Sequence, residues 1–323
     1  MSPILSTLLA IMLVLTACGC FLVGINLMSK GFVLATINAP EDSFFSRGFR
    51  APNRFAGIGT GIIYTALSQS SDVTSVTLVR LADLGTITLM QACACIIGAN
   101  IGTTVTTFIV SLSAFNVTPF FAFLAFVGAI PLLSKKRKLK TFGQIVAGFG
   151  VLFIGLQLLQ ANIENESFRA LVDTIFNSTS NPLILVAIAM GMTMIVQSSS
   201  VVTSMVVFLI SGALLPIESA LCLVVGANIG TCITSWIAAI GSSRSARQTA
   251  LFHTFFNIVG ATVFIVVMYT PLKESFFNVV EAIKINAEFK VALFHLAFNL
   301  VAAMVMIPLL RPATWVCKKI IRH

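Results

Sequence analysis

Two polar words lie inside apolar sequence, and each is written twice. Gln69-Ser70-Ser71-Asp72 recurs as Gln197-Ser198-Ser199-Ser200, and Gly98-Ala99-Asn100-Ile101-Gly102-Thr103 recurs as Gly226-Ala227-Asn228-Ile229-Gly230-Thr231, both at an offset of 128 residues. Amides, hydroxyls and a carboxylate at bilayer depth are costly unless they bind something or one another. A serine hydroxyl donates to an oxyanion or offers its oxygen to Na⁺, and glutamine does both. Two short helices meeting at such a word leave N–H groups or carbonyls unpaired; helix N-termini favour anions and carbonyl ends favour cations. The expected chemistry is joint binding of a small anion and sodium.

Around the tetrads, Thr74, Ser75, Thr203 and Ser204 add hydroxyls that serve either a site or helix packing. Asp72 is a cation ligand or a titrating group. In the hexads, glycines permit unwinding or close approach, so Asn100 and Asn228 hold unwound backbone or give an oxygen to Na⁺. The competing reading is a small-residue packing face, because Gly98 and Gly102 are four apart. Sodium candidates are Asp72, Thr74, Ser75, Asn100, Thr103, Thr203, Asn228 and Thr231. His253 and His295 recur in Ala-Leu-Phe-His segments at an offset of 42 residues. They read as proton carriers or as interhelical hydrogen bonds with Asn257 or Asn299, one turn away.

The elements that position these words are apolar. The chain has 323 residues, 57% hydrophobic and 10% charged, with mean hydropathy +1.00. This predicts an all-α polytopic membrane protein; the continuous apolar runs argue against a β-barrel. Full spans are predicted at 4–28, 86–110, 119–133, 141–159, 217–240, 248–270 and 291–310, those at 86–110 and 217–240 broken by their glycines. The apolar arms flanking each tetrad are shorter than the roughly 20 residues a span needs, so 55–82 and 182–215 read as re-entrant hairpins. With Lys135–Lys138 in the cytoplasm, Arg47, Arg50, Arg54, Arg80, Arg244, Arg247 and the C-terminal tail all fall on the same side. The basic excess thus reports topology, not nucleic-acid binding. The N-terminus falls outside, and the hairpins enter from opposite faces. The expected division is repeat one at 1–133, an inverted repeat two at 134–270, and a further span with a basic cytoplasmic tail at 271–323. The seven cysteines have no metal-ligand spacing and read as packing thiols. Leu15-Thr16-Ala17-Cys18 is like a lipoprotein cleavage box, but no Lys or Arg precedes it and the apolar run continues, so a retained first helix is expected.

The paired tetrads and hexads, with the His-x-x-Phe-Asn segments at 253–257 and 295–299, resemble the type II sodium/phosphate cotransporter family over roughly 1–310. That family's hallmark is a duplicated Gln-Ser-Ser-Ser in two inverted units, each followed by Gly-Ala-Asn-Ile-Gly-Thr. The second copy here matches in full; the first carries Asp72 where the family usually has serine. The resemblance implies phosphate uptake driven by sodium, and an elevator-like movement of a transport domain against a scaffold. Carried over residue by residue, it places substrate on Gln69, Ser70, Ser71, Gln197, Ser198, Ser199 and Ser200. Asp72 either holds an additional Na⁺ or repels the anion. The cytoplasmic helical domain that many bacterial relatives carry at the C-terminus is not expected.

The function expected is a sodium-coupled importer of inorganic phosphate in the bacterial inner membrane, not an enzyme. The expected partners are phosphate, sodium and the lipid bilayer, with a homodimer as candidate assembly. Rivals are another small oxyanion or carboxylate as cargo, a passive channel, and an intramembrane serine hydrolase. The last is disfavoured by the lack of Gly-x-Ser-x-Gly or His-Glu-x-x-His and of a histidine near either tetrad.

Overall fold

Long apolar runs have no water to satisfy their backbone, so they close it internally as helix. In the computed structural model, residues 3–37, 43–112, 118–161 and 165–322 are described, and among them there is no strand. The helices are α1 (Pro3–Ile37), α2 (Phe44–Phe49), α3 (Arg54–Ser68), α4 (Ser71–Asp83), α5 (Leu89–Ser111), α6 (Thr118–Leu132), α7 (Arg137–Gln160), α8 (Glu166–Val172), α9 (Pro182–Val196), α10 (Ser199–Ser211), α11 (Ile217–Gly230), α12 (Cys232–Ala239), α13 (Arg244–Met268), α14 (Leu272–Ala282), α15 (Ala287–Met306) and α16 (Leu310–Ile320). A π-helical turn, Asp173–Asn177, follows α8. Six helical stretches among the described residues are long and apolar enough to cross a membrane: those within α1, α5, α7 and α13, the pair α11–α12, and the pair α15–α16.

The two hairpins are built alike. Asn53 and Asn181, again 128 apart, cap α3 and α9 by accepting the Phe55 and Leu183 N–H at 2.9 Å. Each helix ends on a glutamine in the left-handed region, Gln69 at φ 53° and Gln197 at φ 56°. An extended serine follows, Ser70 or Ser198, and the next helix starts at once. A non-glycine residue in this region costs about 1–2 kcal/mol.

Behind each hairpin lies a hexad, and here one expectation needs correcting. α5 runs unbroken from Leu89 to Ser111 through Gly98 and Gly102. The glycines instead admit the neighbouring backbone: a Cβ at Gly98 would lie 1.9 Å from the Ile58 carbonyl oxygen, and one at Gly102 2.5 Å from that of Ile62. The second unit repeats this at the same offset, with Gly226 against Val186 O at 2.2 Å and Gly230 against Met190 O at 2.6 Å. Close backbone approach, not unwinding, is what these glycines provide in α5. Only the second hexad coincides with a discontinuity, at Thr231 between α11 and α12.

One other expectation changes, and two helices are added to what the sequence suggested. α6 has 15 residues, about 22 Å of helix, so the span expected at 119–133 is short of a roughly 30 Å hydrocarbon core. The basic tail is helical as α16, with Leu310, Thr314 and Cys317 buried. α14, between the last two long helices, was not anticipated.

A separate layer is formed by α1, α6 and α7. Gly24 takes the Leu152 backbone and Gly155 that of Phe21, each with a would-be Cβ contact of 2.4–2.5 Å. Phe121 stacks on Phe153 with centroids 3.5 Å apart. This layer meets the first hairpin where the Ser29 hydroxyl donates to the Ser68 carbonyl at 2.6 Å.

Candidate functional site

The site is assembled from α4, α12 and the second hairpin's turn. Asp72 stands in the first turn of α4, where a carboxylate is favoured by the helix dipole. The Thr231 hydroxyl donates to Asp72 Oδ1 at 2.8 Å. Thr234 Oγ1 lies 3.1 Å from the same oxygen and 2.8 Å from the Thr231 carbonyl, so its one proton is shared between two acceptors. The first tetrad is thereby tied to the second hexad. Asp72 is half-buried and lines an open cleft of about 510 Å³ with Thr77, Arg80, Gln197 and Thr234. Arg80 lies eight residues along α4, about 12 Å toward the rim. The cleft therefore joins a carboxylate, the amide of the second tetrad and an exposed guanidinium.

The remaining tetrad residues differ between the two copies. In the first, Ser70 Oγ accepts the Val73 N–H at 3.2 Å and caps α4. Gln69 Nε2 donates to the Ala66 carbonyl, while Gln69 Oε1 is buried without a partner among the described residues. Ser71 Oγ accepts from Thr103 at 3.4 Å. Thr65 donates to Thr74 at 2.8 Å, Thr74 donates to the Ser70 carbonyl at 3.0 Å, and Ser75 donates to the Asp72 carbonyl at 3.1 Å. In the second, Ser198 caps nothing. The hydroxyls of Thr193, Ser200, Thr203 and Ser204 are buried without hydrogen-bond partners among the described residues. For Thr193 the cause is legible: its first-copy counterpart, Thr65, is braced by Thr74, and Val202 stands where Thr74 should be.

Asp72 has a neutral twin. Ser200, Thr103 and Thr106 occupy the positions that Asp72, Thr231 and Thr234 occupy at the 128-residue offset. The Ser200 and Thr106 hydroxyls are both buried and unpartnered among the described residues. A buried hydroxyl without a partner costs on the order of 1–3 kcal/mol, so such groups cluster where something else is held.

The candidates thus separate. Asp72 and Thr231 are brought into contact. Thr103 reaches Ser71, Ser199 is buried at the start of α10, and Thr74 and Ser75 bond within the first hairpin. Asn100 and Asn228 each donate back to their own helix, to Ile96 O at 3.0 Å and Val224 O at 2.9 Å. Asn228 also meets His295 Nε2 at 3.1 Å. The histidines do not pair with Asn257 or Asn299 through their rings. His253 Nδ1 meets Ser235 and His295 Nδ1 meets Thr107, each at 2.7 Å. The two asparagines donate to the histidines' own carbonyls. Sequence reasoning missed Thr234, Thr107 and Ser235. The last two stand at the 128-residue offset from each other, a signal that was available.

Comparison with known proteins agrees with this duplicated arrangement. No solved structure matches the chain. It is similar to the uncharacterized protein YqeW of Bacillus subtilis, 26% identical over 74% of this chain and 76% of that protein. It is also similar to the putative inorganic phosphate export protein YjbB of Escherichia coli, 26% identical over 83% of this chain. The chain spans about half the length of YjbB, the match covering 47% of that protein. Human sodium-dependent phosphate transport protein 2B is 44% identical over 27% of this chain and 13% of its own length. A family model described as Na⁺/Pi-cotransporter matches over residues 20–161 and over 155–283; the chain belongs to that transporter family.

Proposed function

We propose that this chain couples the sodium gradient to inward movement of inorganic phosphate by alternating access at the Asp72–Gln197 cleft. The observation that carries the reading is the convergence on Asp72 of two hydroxyls from the other unit, Thr231 at the end of its hexad and Thr234 on the helix that follows. Oxygen donors around one carboxylate suit Na⁺, a hard cation. The uncapped first turn of α10 and the unpartnered hydroxyl of Ser200 suit a tetrahedral oxyanion. A bare carboxylate lining the same cleft opposes an anion, and a sodium ion on Asp72 removes that opposition. Sodium then binds before phosphate, and coupling follows from charge alone. Arg80 at the rim draws the anion in.

The units are inverted in this reading. Supporting it, Arg54 at the start of α3 donates to the Ile307 carbonyl past the end of α15, whereas Asn181 before α9 accepts from Tyr269 past the end of α13. Arg47, Arg50, Arg80, Arg244, Arg311, Lys318 and Lys319 lie toward the first of these ends, which we assign to the cytoplasm. The α1–α6–α7 layer serves as scaffold, and the hairpins with α5 and α11–α13 move against it. The bacterial relatives named for phosphate export favour a second reading, the same site run outward.

The test is labelled phosphate flux in proteoliposomes with an imposed sodium gradient. Uptake against a phosphate gradient, driven by sodium alone and competed by unlabelled phosphate, is expected. Flux indifferent to sodium refutes the coupling, and flux only down the phosphate gradient makes the protein a channel. Accumulation opposite to the sodium gradient selects export.

A further inference from the structure

A second basic cavity lies away from the transport cleft. It is an open pocket of about 580 Å³ where the start of α3, the start of α5 and the α15–α16 junction meet. Arg54 and Arg311 stand on its walls with Asn53, Met90 and Leu310 contributing apolar and amide surface, and no acidic residue lines it. Arg54 is fixed by its hydrogen bond to Ile307 O at 3.3 Å and by the Phe55 ring 5.1 Å beneath its guanidinium. Among the described residues neither arginine has a carboxylate within 4.0 Å; the one ion pair there is Lys273–Glu218. One guanidinium held in place beside a second, neither with a counter-charge, is a phosphate-binding arrangement.

Depth decides what kind of phosphate. α15 has 20 residues, about 30 Å of helix, which by itself crosses a hydrocarbon core of about 30 Å. α16 therefore lies at headgroup level. Its buried side faces the protein, while Trp315 and Ile320 are 55% and 59% exposed. Lys319 Nζ sits 3.9 Å from the Trp315 ring centroid, and Lys318 and Arg322 add charge beside it. An exposed tryptophan flanked by lysines is the pattern of a membrane interface. The pocket thus presents cations for a phosphodiester and apolar surface for the glycerol and upper acyl chains. A soluble anion would use only half of it.

We propose that this pocket is a binding site for the headgroup of an anionic phospholipid, with Arg54 and Arg311 holding the phosphodiester and α16 lying beside it at headgroup level. The site is independent of the transport reading, because it is tested without flux.

Trp315 supplies the probe. The chain has two tryptophans, so Trp236→Phe leaves Trp315 alone. The full chain carrying that change is placed in phosphatidylcholine bilayers with increasing brominated phosphatidylglycerol, or brominated phosphatidylcholine as reference. Quenching of Trp315 is expected to favour phosphatidylglycerol by about tenfold in mole fraction. Arg54→Gln with Arg311→Gln should abolish the preference, and inorganic phosphate should not compete. Equal quenching by both lipids overturns the proposal, as does a preference that survives the double variant. Relief of quenching by inorganic phosphate also overturns it, by showing a soluble-anion site. Arg311 is exposed and its side chain makes no hydrogen bond among the described residues, so Arg311→Gln alone carries the test if the double variant does not fold.

Discussion

Asp72→Asn removes a charge and leaves the shape. In the folded chain Asp72 Oδ1 accepts from Thr231 at 2.8 Å and shares the Thr234 proton at 3.1 Å. Asparagine retains an acceptor oxygen for Thr231, and Thr234 retains the Thr231 carbonyl at 2.8 Å. The fold should therefore persist, with melting temperature nearly unchanged. What is lost, on the proposed role, is the anionic oxygen offered to sodium. A contact to a charged group contributes about 1.5–3 kcal/mol net, and each 1.4 kcal/mol is about tenfold. The apparent sodium affinity should fall about 10- to 100-fold, read from the sodium dependence of labelled phosphate flux in proteoliposomes. At saturating sodium, the phosphate KM should move far less, because Asp72 opposes rather than holds the anion. The same variant should bind phosphate better than the parent chain when sodium is absent. Unchanged sodium affinity and Hill slope, or an equal loss for phosphate and sodium, would refute this assignment.

Three further outcomes follow from named contacts. Val202→Thr gives Thr193 the partner that Thr74 gives Thr65, and should stabilise the second hairpin by about 1 kcal/mol, read as a higher melting temperature in detergent; a lower one means the position cannot take a hydroxyl. Gly98→Ala and Gly226→Ala would drive a methyl to 1.9 Å and 2.2 Å from a carbonyl oxygen, costing about 1–3 kcal/mol or more by overpacking, whereas Gly191→Ala meets nothing within 4 Å and should be silent. Ser199→Ala and Ser71→Ala should each weaken transport by an amount corresponding to about 1–2 kcal/mol while leaving the fold intact, and wild-type flux from both would return these serines to packing.

The parts of this molecule that sequence could expose are those tied to the 128-residue offset. The paired caps at Asn53 and Asn181, the paired turns at Gln69 and Gln197, and the paired glycine contacts are local or nearly local, so identical words produce identical geometry. What stayed hidden depends on a third element. A glycine in an apolar run is compatible with a broken helix or with close approach, and only the position of α3 over Gly98 decides it. Thr234 reads as one more threonine in an apolar helix until α4 brings Asp72 beside it. The histidine rings had asparagines one turn away, yet the geometry gave those asparagines to backbone carbonyls and the rings to hydroxyls on α5 and α12. Local proximity lost because an asparagine within a helix is well placed to bond the carbonyl one turn back.

The broken symmetry itself can be put to the test. If Asp72 acts through its place beside Thr231 and Thr234, its twin Ser200, which matches it at the offset that relates Thr103 and Thr106 to those threonines, should accept the same role. The twin has the hydroxyls for it, since Ser200 and Thr106 are buried and unpartnered among the described residues. Asp72→Ser alone should lose sodium affinity as the asparagine variant does. Asp72→Ser combined with Ser200→Asp should recover it to within about tenfold of the parent chain, the residual reflecting about 1 kcal/mol of imperfect geometry. Ser200→Asp alone should fare worst with phosphate, because it sets two carboxylates facing one anion, and like charges so placed oppose both each other and the cargo. A swap no better than Asp72→Ser would mean that the two units, alike in backbone, are not interchangeable in charge. Sodium coupling would then belong to the first hairpin's own surroundings, with the cleft and Arg80 as the feature the second unit cannot reproduce.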